Sequence, residues 1–296
     1  MTTARKSYIY ALLAVFFWST VPTVFKISLK ELDILPMLTI ATGTSACVLL
    51  AVIIAEKKTH LLFNNNARQM LGSALLGLIN PFIYYILLLN GYKLLPAQIA
   101  QPLNQIWPIL IVFLSVPILG QKIKRKSFLA LFISFAGVYI ISSQGSLFGG
   151  SHANLRGVLF ATISAIFWAL YFIFNVKDKR DESVKLFLNF LFGYMYLSAA
   201  LVITKDWQIS PSAMKGILAA VYVGVFEMGI TFLFWLKALQ MAETTDKVSN
   251  LVYLAPFLSL VFVHFILHEP VYYTTPIGLV LIISGIWLQN RKPKRA

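Results

Sequence analysis

A single carboxylate lies in the middle of an otherwise apolar stretch, VYVGVFEMGITFLFW, which covers Val221–Trp235. If this stretch crosses a membrane, an ionisable side chain at its centre costs about 2.5 to 3.5 kcal/mol on insertion scales and needs a reason to be there. Desolvation favours the neutral acid, whereas a bound cation favours the carboxylate. We therefore predict that Glu227 exchanges a proton for a positively charged substrate. The alternative is structural, with Glu227 hydrogen-bonded to a Thr, Tyr or Asn on a neighbouring helix.

Polar residues form a second candidate set, in two groups that lie 148 residues apart in the chain. The groups are Gln98, Gln101, Asn104 and Gln105, and Asp246, Ser249, Asn250 and Tyr253. The glutamines recur at i, i+3 and i+7 and so share one helical face. Because polar side chains avoid lipid, both groups are predicted to line a central cavity. The predicted substrate contacts are Gln101, Asn104, Gln105, Asn250 and Tyr253. Hydrogen bonding between helices is the alternative, and headgroup solvation is sufficient for Gln98 and Asp246, which lie near helix starts. Asp246 is also a second candidate for proton coupling.

Aromatic side chains deep in apolar stretches form the third set. Trp18 and Trp168 lie 150 residues apart in similar surroundings, FFWST and IFWAL. Aromatic faces beside a carboxylate suit an ammonium group on an apolar body, through cation–π attraction. The predicted substrate contacts are Trp18, Trp168, Tyr84 and Trp235, while Tyr85 and Tyr171 are deep but weaker candidates. Packing or interfacial belts explain Trp207, Tyr272, Tyr273 and Trp287.

Other chemistry is not supported by the sequence. His264 and His268 are four residues apart with Glu269 adjacent, but there is no HExxH order and no cysteine pair, so a metal site is not predicted. There is also no Walker A loop, and ATP is therefore not the direct energy source. We predict no cofactor and no enzymatic activity.

The elements that must hold these residues are apolar helices. Of the 296 residues, 58% are hydrophobic and 12% are charged. A hydrocarbon core of roughly 30 Å takes about 20 helical residues, and ten runs of about that length are present. They are Ser7–Ile27, Leu35–Ala55, Gln69–Asn90, Pro96–Leu119, Ser127–Ser143, Leu155–Val176, Leu186–Thr204, Ala213–Leu236, Thr245–Leu267 and Val271–Gln289. Prolines interrupt helical hydrogen bonds within them, among them Pro22, Pro81, Pro102 and Pro108.

The basic residues are distributed unevenly between the predicted loops. With a cytoplasmic N-terminus, 19 of the 25 Lys and Arg residues lie in cytoplasmic loops and tails. This positive-inside pattern places both termini in the cytoplasm and the chain in the inner (plasma) membrane. The net charge of +14 is thus explained by anionic lipid headgroups, and nucleic-acid binding is not predicted. Cys47, the only cysteine, is predicted to pack inside the second span.

An internal repeat relates the two halves of the chain. Pro108 and Pro256, and Gly137 and Gly285, are each 148 residues apart. Residues 1–150 and 151–296 are therefore predicted to be two repeats of five helices. Because five is odd, the second repeat is inverted, an architecture that secondary transporters use to open one site to either side in turn. The predicted fold is thus an all-α integral membrane protein with ten transmembrane helices.

The same residues carry a family resemblance. The paired tryptophans, the stretch PFLSLVFVHFILHEP (Pro256–Pro270) and the stretch IGLVLIISGIW (Ile277–Trp287) resemble the EamA family of the drug/metabolite transporter superfamily. The resemblance implies an exporter of a small metabolite. Together with Glu227 it predicts an alternating-access exporter of an amine-bearing compound such as an amino acid, coupled to protons.

Two other functions remain open, a multidrug-type exporter of lipophilic cations and a channel or facilitator with a continuous pore. The predicted partners are a small-molecule substrate and the bilayer, for a monomer or a homodimer. Gly137 and Gly285 suit either a dimer contact or packing within the bundle.

Overall fold

The computed structural model describes residues 3–119, 125–145, 153–206, 209–210, 212–241 and 250–290. Within these ranges the chain is helical apart from turns and short loops, and no strand occurs there. The α-helices are α1 (Thr3–Leu29), α2 (Ile34–Ala55), α3 (His60–Phe63), α4 (Ala67–Gly77), α5 (Tyr84–Leu94), α6 (Ala97–Asn104), α7 (Trp107–Leu119), α8 (Arg125–Ser142), α9 (Leu155–Lys177), α10 (Glu182–Thr204), α11 (Met214–Tyr222), α12 (Thr231–Met241), α13 (Leu254–Leu267) and α14 (Thr274–Asn290). The prediction of an all-helical fold is confirmed for this part of the chain.

Three segments differ from α-helix. Two of them interrupt a span, and we name them π1 (Leu78–Ile83, between α4 and α5) and π2 (Val223–Ile230, between α11 and α12). π2 is a wide, π-helical segment, whereas at π1 two helices meet across a kink. π1 is kinked at Asn80, whose backbone is extended and whose peptide bond to Pro81 is cis. The third is a 3₁₀ turn, Asn250–Tyr253, that precedes α13. Two of the predicted spans are thus interrupted near their middle.

Six helical stretches within the described residues are long and apolar enough to cross a membrane. They are Arg5–Leu29, Ile34–Ala55, Ala67–Leu94, Leu155–Asn175, Glu182–Thr204 and Met214–Trp235. Three further apolar helices are shorter, at Phe128–Ile141, Leu254–Leu267 and Thr274–Leu288. The number of ten crossings therefore stays a prediction.

The predicted fourth span, Pro96–Leu119, is divided into α6 and α7. Gln105 and Ile106 form a turn between the two helices. Pro108 has no N–H with which to bond the carbonyl of Asn104, so one hydrogen bond of the ladder is missing between α6 and α7. Gln105 therefore lies beyond the helix that carries Gln98 and Gln101, and the prediction that one continuous helix presents all three on one face is wrong.

The chain divides into two compact units, and each takes segments from both predicted repeats. Unit 1 comprises residues 1–86 and 177–268. Within it α10 packs against α2 and α4, α1 packs against α11, α12 and α13, and α2 packs against π2. Its core contains Phe25, Leu38, Leu49 and Phe190, which are fully buried. Cys47 is exposed on α2, so the prediction that it packs inside is wrong.

Unit 2 comprises residues 87–176 and 269–296 and is organised around the pair α8 and α14. The two helices approach so closely that a Cβ on Gly137 would lie 2.5 Å from the carbonyl oxygen of Gly278, and a Cβ on Gly278 equally close to that of Gly137. Gly285 meets the backbone of Ala130 in the same way, at 2.6 Å. Small residues permit such contact between apolar helices. Packing within the bundle thus accounts for Gly137 and Gly285.

Polar contacts tie together two loops of unit 1 that were both predicted to be cytoplasmic. The Arg180 guanidinium donates to both carboxylate oxygens of Asp178, to Asn65 Oδ1 at 3.0 Å and to Ser73 Oγ at 2.7 Å. Partial burial opposes ionisation of Asp178, but these hydrogen bonds and the positive charge of Arg180 outweigh it and lower the pKa of Asp178. The hydrogen bond from Arg180 to Asn65 therefore joins the two loops, and the nearly buried ion pair with Asp178 lies within one of them.

Lys58 extends this arrangement. Its ammonium group lies 2.8 Å from carboxylate oxygens of both Glu56 and Asp181. The hydrogen bond from Lys58 lowers the pKa of Glu56. At Asp181 partial burial acts in the opposite direction, but Lys58 and the backbone N–H groups of Val184 and Ser183 together outweigh it, and the pKa is again lowered. These carboxylates are consequently better acids in the folded protein than in an unfolded chain.

Candidate functional site

Glu227 lies in π2, where the helix is wider than an α-helix. Single π turns inside α-helices occur frequently at functional sites. At the repeat separation of 148 residues, π1 falls on positions 226–231, which overlap π2. The two interruptions therefore occupy corresponding positions in the two predicted halves. In transporters, paired interruptions of this kind are the best indication of where substrates and coupling ions bind.

The Glu227 carboxylate accepts a hydrogen bond from a residue that lies just after π1. Tyr85 Oη donates to Glu227 Oε1 at 3.0 Å. Tyr85 is fully buried, with 0% of its surface exposed, and its ring packs edge-on against Phe25 of α1 at a centroid distance of 6.2 Å. Glu227 itself is only partly buried. The two interrupted spans thus meet at a tyrosine–carboxylate hydrogen bond.

The residues on either side of Glu227 are each anchored to a different helix. The ring of Phe226 stacks on that of Phe17 of α1, with centroids 4.4 Å apart and planes 18° apart. The carbonyl oxygen of Met228 accepts a hydrogen bond of 2.8 Å from Ser45 Oγ of α2. The chain is therefore anchored both at the residue before Glu227 and at the residue after it.

A second group of aromatic residues joins α1 to α12. The Trp18 ring is 5.4 Å from that of Trp235 and 6.0 Å from that of Phe232. Tyr84 is buried and its ring contacts that of Tyr85 in an edge-to-face arrangement at 4.6 Å. The structure thus brings Trp18 and Trp235 together, and it joins Tyr84 to Glu227 through Tyr85. All of these predicted residues belong to unit 1.

The predicted site residues of α6 and α9 belong to unit 2. Trp168 packs against Trp107 at 6.4 Å and against Tyr171 at 5.9 Å. Asn104 Nδ2 donates to Ser164 Oγ of α9 at 2.8 Å. Gln101 is partly buried at the surface of α6. Asn104 thus makes the hydrogen bond between helices that the structural alternative expects, and its predicted contact with substrate remains a prediction.

Gln98 lies deeper than its position near a helix start indicated. It is fully buried; its amide nitrogen donates to the carbonyl of Pro270, and its oxygen accepts from the N–H of Tyr272 at 3.0 Å and from Thr275 Oγ1 at 3.2 Å. The prediction that headgroups solvate Gln98 is therefore wrong. Glu269 Oε2 accepts from the N–H of Ala97 at 2.8 Å, so Glu269 lies at the start of α6, where a negative charge is favoured by the helix dipole.

The second polar group lies largely outside the described residues. This holds for Asp246 and Ser249 as a whole, and for the side chains of Asn250 and Tyr253. Their predicted roles in proton coupling and substrate contact stay predictions.

Comparison with known proteins decides the family. The sequence matches the EamA-like transporter family twice, over residues 5–143 and 155–291. The chain belongs to the EamA-like transporter family. An uncharacterized transporter of Bacillus subtilis, YvbV, is 31% identical over 88% of this chain and 84% of its own length. The aromatic amino acid exporter YddG of Ancylobacter novellus is 25% identical over 60% of this chain and 61% of its own length. A crystal structure at 18% identity covers 96% of both chains with a TM-score of 0.66, which shows the fold.

Membership of the EamA family establishes the class of protein. It is a multi-pass membrane transporter and not an enzyme, as predicted. Within this EamA chain, the chemistry available at Glu227 is that of a carboxyl group that accepts a hydrogen bond from a buried phenol and binds or releases a proton. Such a group attracts an ammonium ion when it is charged and releases it when it is neutral.

Three residues that contact Glu227, flank it or bond its neighbour Met228 were not among the predicted substrate contacts. They are Tyr85, Phe226 and Ser45. Tyr85 was one of the deep aromatics, and its depth was the available signal. Ser45 gave no signal, because serines on transmembrane helices commonly hydrogen-bond to the backbone of their own helix.

Proposed function

We propose that this EamA protein is a secondary transporter that moves a small amine-bearing metabolite, such as an amino acid, in exchange for protons at Glu227. The observation that carries the proposal is the Tyr85–Glu227 hydrogen bond, located where two interrupted spans meet. An ionisable residue inside a membrane span is a functional candidate by default because its burial is unfavourable. The similarity to an aromatic amino acid exporter supports the same substrate class.

The proposed cycle uses two states of one carboxyl group. In the charged state Glu227 accepts from Tyr85 and attracts the substrate ammonium. Protonation removes that attraction and releases the substrate, and alternating access exposes the site to the two sides of the membrane in turn. We further propose export from the cytoplasm across the plasma membrane, with both termini cytoplasmic, on the basis of the charge distribution.

The aromatic residues near the site support a second candidate. The stacked pair Phe17 and Phe226 and the cluster of Trp18, Phe232 and Trp235 present apolar surface within the same unit. Such surface would also suit lipophilic cations, as in a multidrug exporter. Competition separates the two: zwitterionic amino acids displace a bound amine from a metabolite exporter and do not displace it from a multidrug exporter. A channel is distinguished from both by the absence of trans-stimulation.

The test is a thermal-shift screen of the purified protein against amino acids, polyamines and lipophilic cations at acidic and alkaline pH. A ligand present at 100 times its Kd stabilises the folded state by about 2.7 kcal/mol. We expect ligands that stabilise the wild type more at alkaline pH and lose at least tenfold in affinity in Glu227→Gln. Glu182→Gln is the control for loss of a carboxylate away from the site, since Glu182 is 45% exposed at the start of α10, where it pairs with Lys185. Unchanged binding by a folded Glu227→Gln protein would refute the proposed site.

A further inference from the structure

Ser45 is a fully buried serine that bonds to another helix and not to its own. Its Oγ lies 2.8 Å from the carbonyl oxygen of Met228, 183 residues away. Ser19 and Ser259, by contrast, bond a carbonyl three residues earlier in their own helices. The bond from Ser45 resembles those of Ser7, Ser28 and Ser134, whose hydroxyls also join two helices. The Ser45 hydroxyl is therefore committed to π2.

The carbonyl that Ser45 bonds is that of the residue directly after Glu227. Where a membrane helix departs from its regular ladder, Ser and Thr side chains of neighbouring helices satisfy the backbone groups that are released. The Met228 carbonyl belongs to the Met228–Gly229 peptide unit, which is thus joined to α2 one residue beyond Glu227. Only the Glu227–Met228 peptide unit lies between this anchored unit and the Cα that bears the Glu227 side chain, so the anchor restricts the direction of that side chain.

One face of α2 packs against π2 over two helical turns. Ala41, Ser45 and Val48 are spaced i, i+4 and i+7 and so lie on one face. A Cβ on Gly224 would overlap the carbonyl oxygen of Ala41, and a Cβ on Gly229 would lie 3.2 Å from Val48. Contact this close leaves little room for the wide turn to shift, and the Ser45 hydrogen bond fixes its register against α2.

We propose that Ser45 is a positioning residue for Glu227: through the Met228 carbonyl it holds the wide turn so that the carboxylate is directed at the ammonium group of the substrate. This inference rests on the proposed role of Glu227 as the ammonium site. Tyr85 fixes the carboxylate end of the side chain, and Ser45 fixes the backbone end. Substrate selectivity for a positive charge then depends on a residue that does not contact the substrate.

The test compares two probes of similar shape, 2-phenylethylamine and the uncharged 2-phenylethanol, by Kd on the purified full-length protein. We expect the wild type to prefer the amine. Loss of the Ser45 hydroxyl in Ser45→Ala should reduce that preference about three- to tenfold, the range expected for one hydrogen bond, while the Kd of the alcohol changes little. Ser45→Thr, which keeps the hydroxyl, should retain the preference. Ser259→Ala is the control for loss of a buried serine and should behave as the wild type.

The outcomes separate this inference from the proposed function. If the wild type does not prefer the amine, Glu227 is not an ammonium site, and both are overturned. If the wild type and Ser45→Ala show the same preference, or if Ser45→Ala weakens both probes equally, only the positioning role is overturned. Should Ser45→Ala fail to fold, Ser45→Cys provides the same comparison with a weaker donor of nearly the same shape, and an unchanged preference there overturns the role equally.

Discussion

Replacing Gly224 with alanine tests the close packing of π2 against α2. The added Cβ would lie 2.6 Å from Thr44 Cβ and would overlap the Ala41 carbonyl oxygen, which belongs to a helix backbone and cannot rotate away. Overpacking of this kind typically destabilises a protein by about 1 to 3 kcal/mol. Alanine gains about 0.5 to 1 kcal/mol over glycine in a helix. The net prediction for Gly224→Ala is therefore a loss of about 1 kcal/mol, the middle of a range of about 0 to 2.5 kcal/mol.

Gly72 provides a matched control. It lies inside α4, and a Cβ there would meet no atom within 4 Å. Gly72→Ala should therefore gain the full helix propensity term, about 0.5 to 1 kcal/mol. The two substitutions are chemically identical, yet their effects on stability are predicted to have opposite signs.

The assay is ligand-free unfolding of both variants and the wild type in the same detergent, by heat and by denaturant. Gly224→Ala should unfold at lower temperature than the wild type and Gly72→Ala at higher temperature. Because Gly224 and Ser45 meet the same face of α2, Gly224→Ala should also weaken amine binding. A Gly224→Ala protein as stable as the wild type would show that π2 has room to move away from α2, and the argument from close packing would be wrong.

Other predictions concern groups remote from Glu227. Arg180→Ala leaves Asp178, of which 17% of the side chain is exposed, without its charge partner and should lower the free energy of unfolding by about 2 kcal/mol, measured by denaturant titration. The melting temperature should be highest above about pH 4 and should fall as the pH drops through and below that value. The reason is that Asp181 has a lowered pKa in the folded state and loses its charge on acidification. In Lys58→Met the melting temperature should change less between pH 6 and pH 3 than it does in the wild type. Gln98→Leu leaves buried backbone groups without partners and should cost about 2 to 3 kcal/mol, measured in the same way.

The helical stretches follow closely from the sequence because apolar runs and their bounding residues carry most of the information. The predicted spans Leu35–Ala55 and Leu155–Val176 correspond to helices Ile34–Ala55 and Leu155–Lys177. Their ends are set by the first polar or charged residues, which avoid the hydrocarbon core whatever the rest of the chain does. Such boundaries need no tertiary information.

The interruptions follow only in part, because the effect of a proline depends on its surroundings. Pro81 lies in π1 and Pro108 in the first turn of α7, but α1 continues through Pro22 and α6 through Pro102. One missing hydrogen bond is tolerated where neighbouring groups satisfy the released carbonyl. The interruption π2 contains no proline at all, and the pair Gly224 and Gly229 was the available signal for it.

The identity of the partner of Glu227 could not be read from the sequence, although its chemical type could. Tyrosine was among the expected partners, and Tyr84 and Tyr85 are adjacent in a span that must lie deep in the bundle. Neighbouring positions on a helix point about 100° apart, so choosing between them requires the rotational phase of the helix. The kink at Asn80 shifts that phase for everything that follows it. Local sequence thus determines that a phenol is available near Glu227, and the geometry of π1 determines that the phenol is the one on Tyr85.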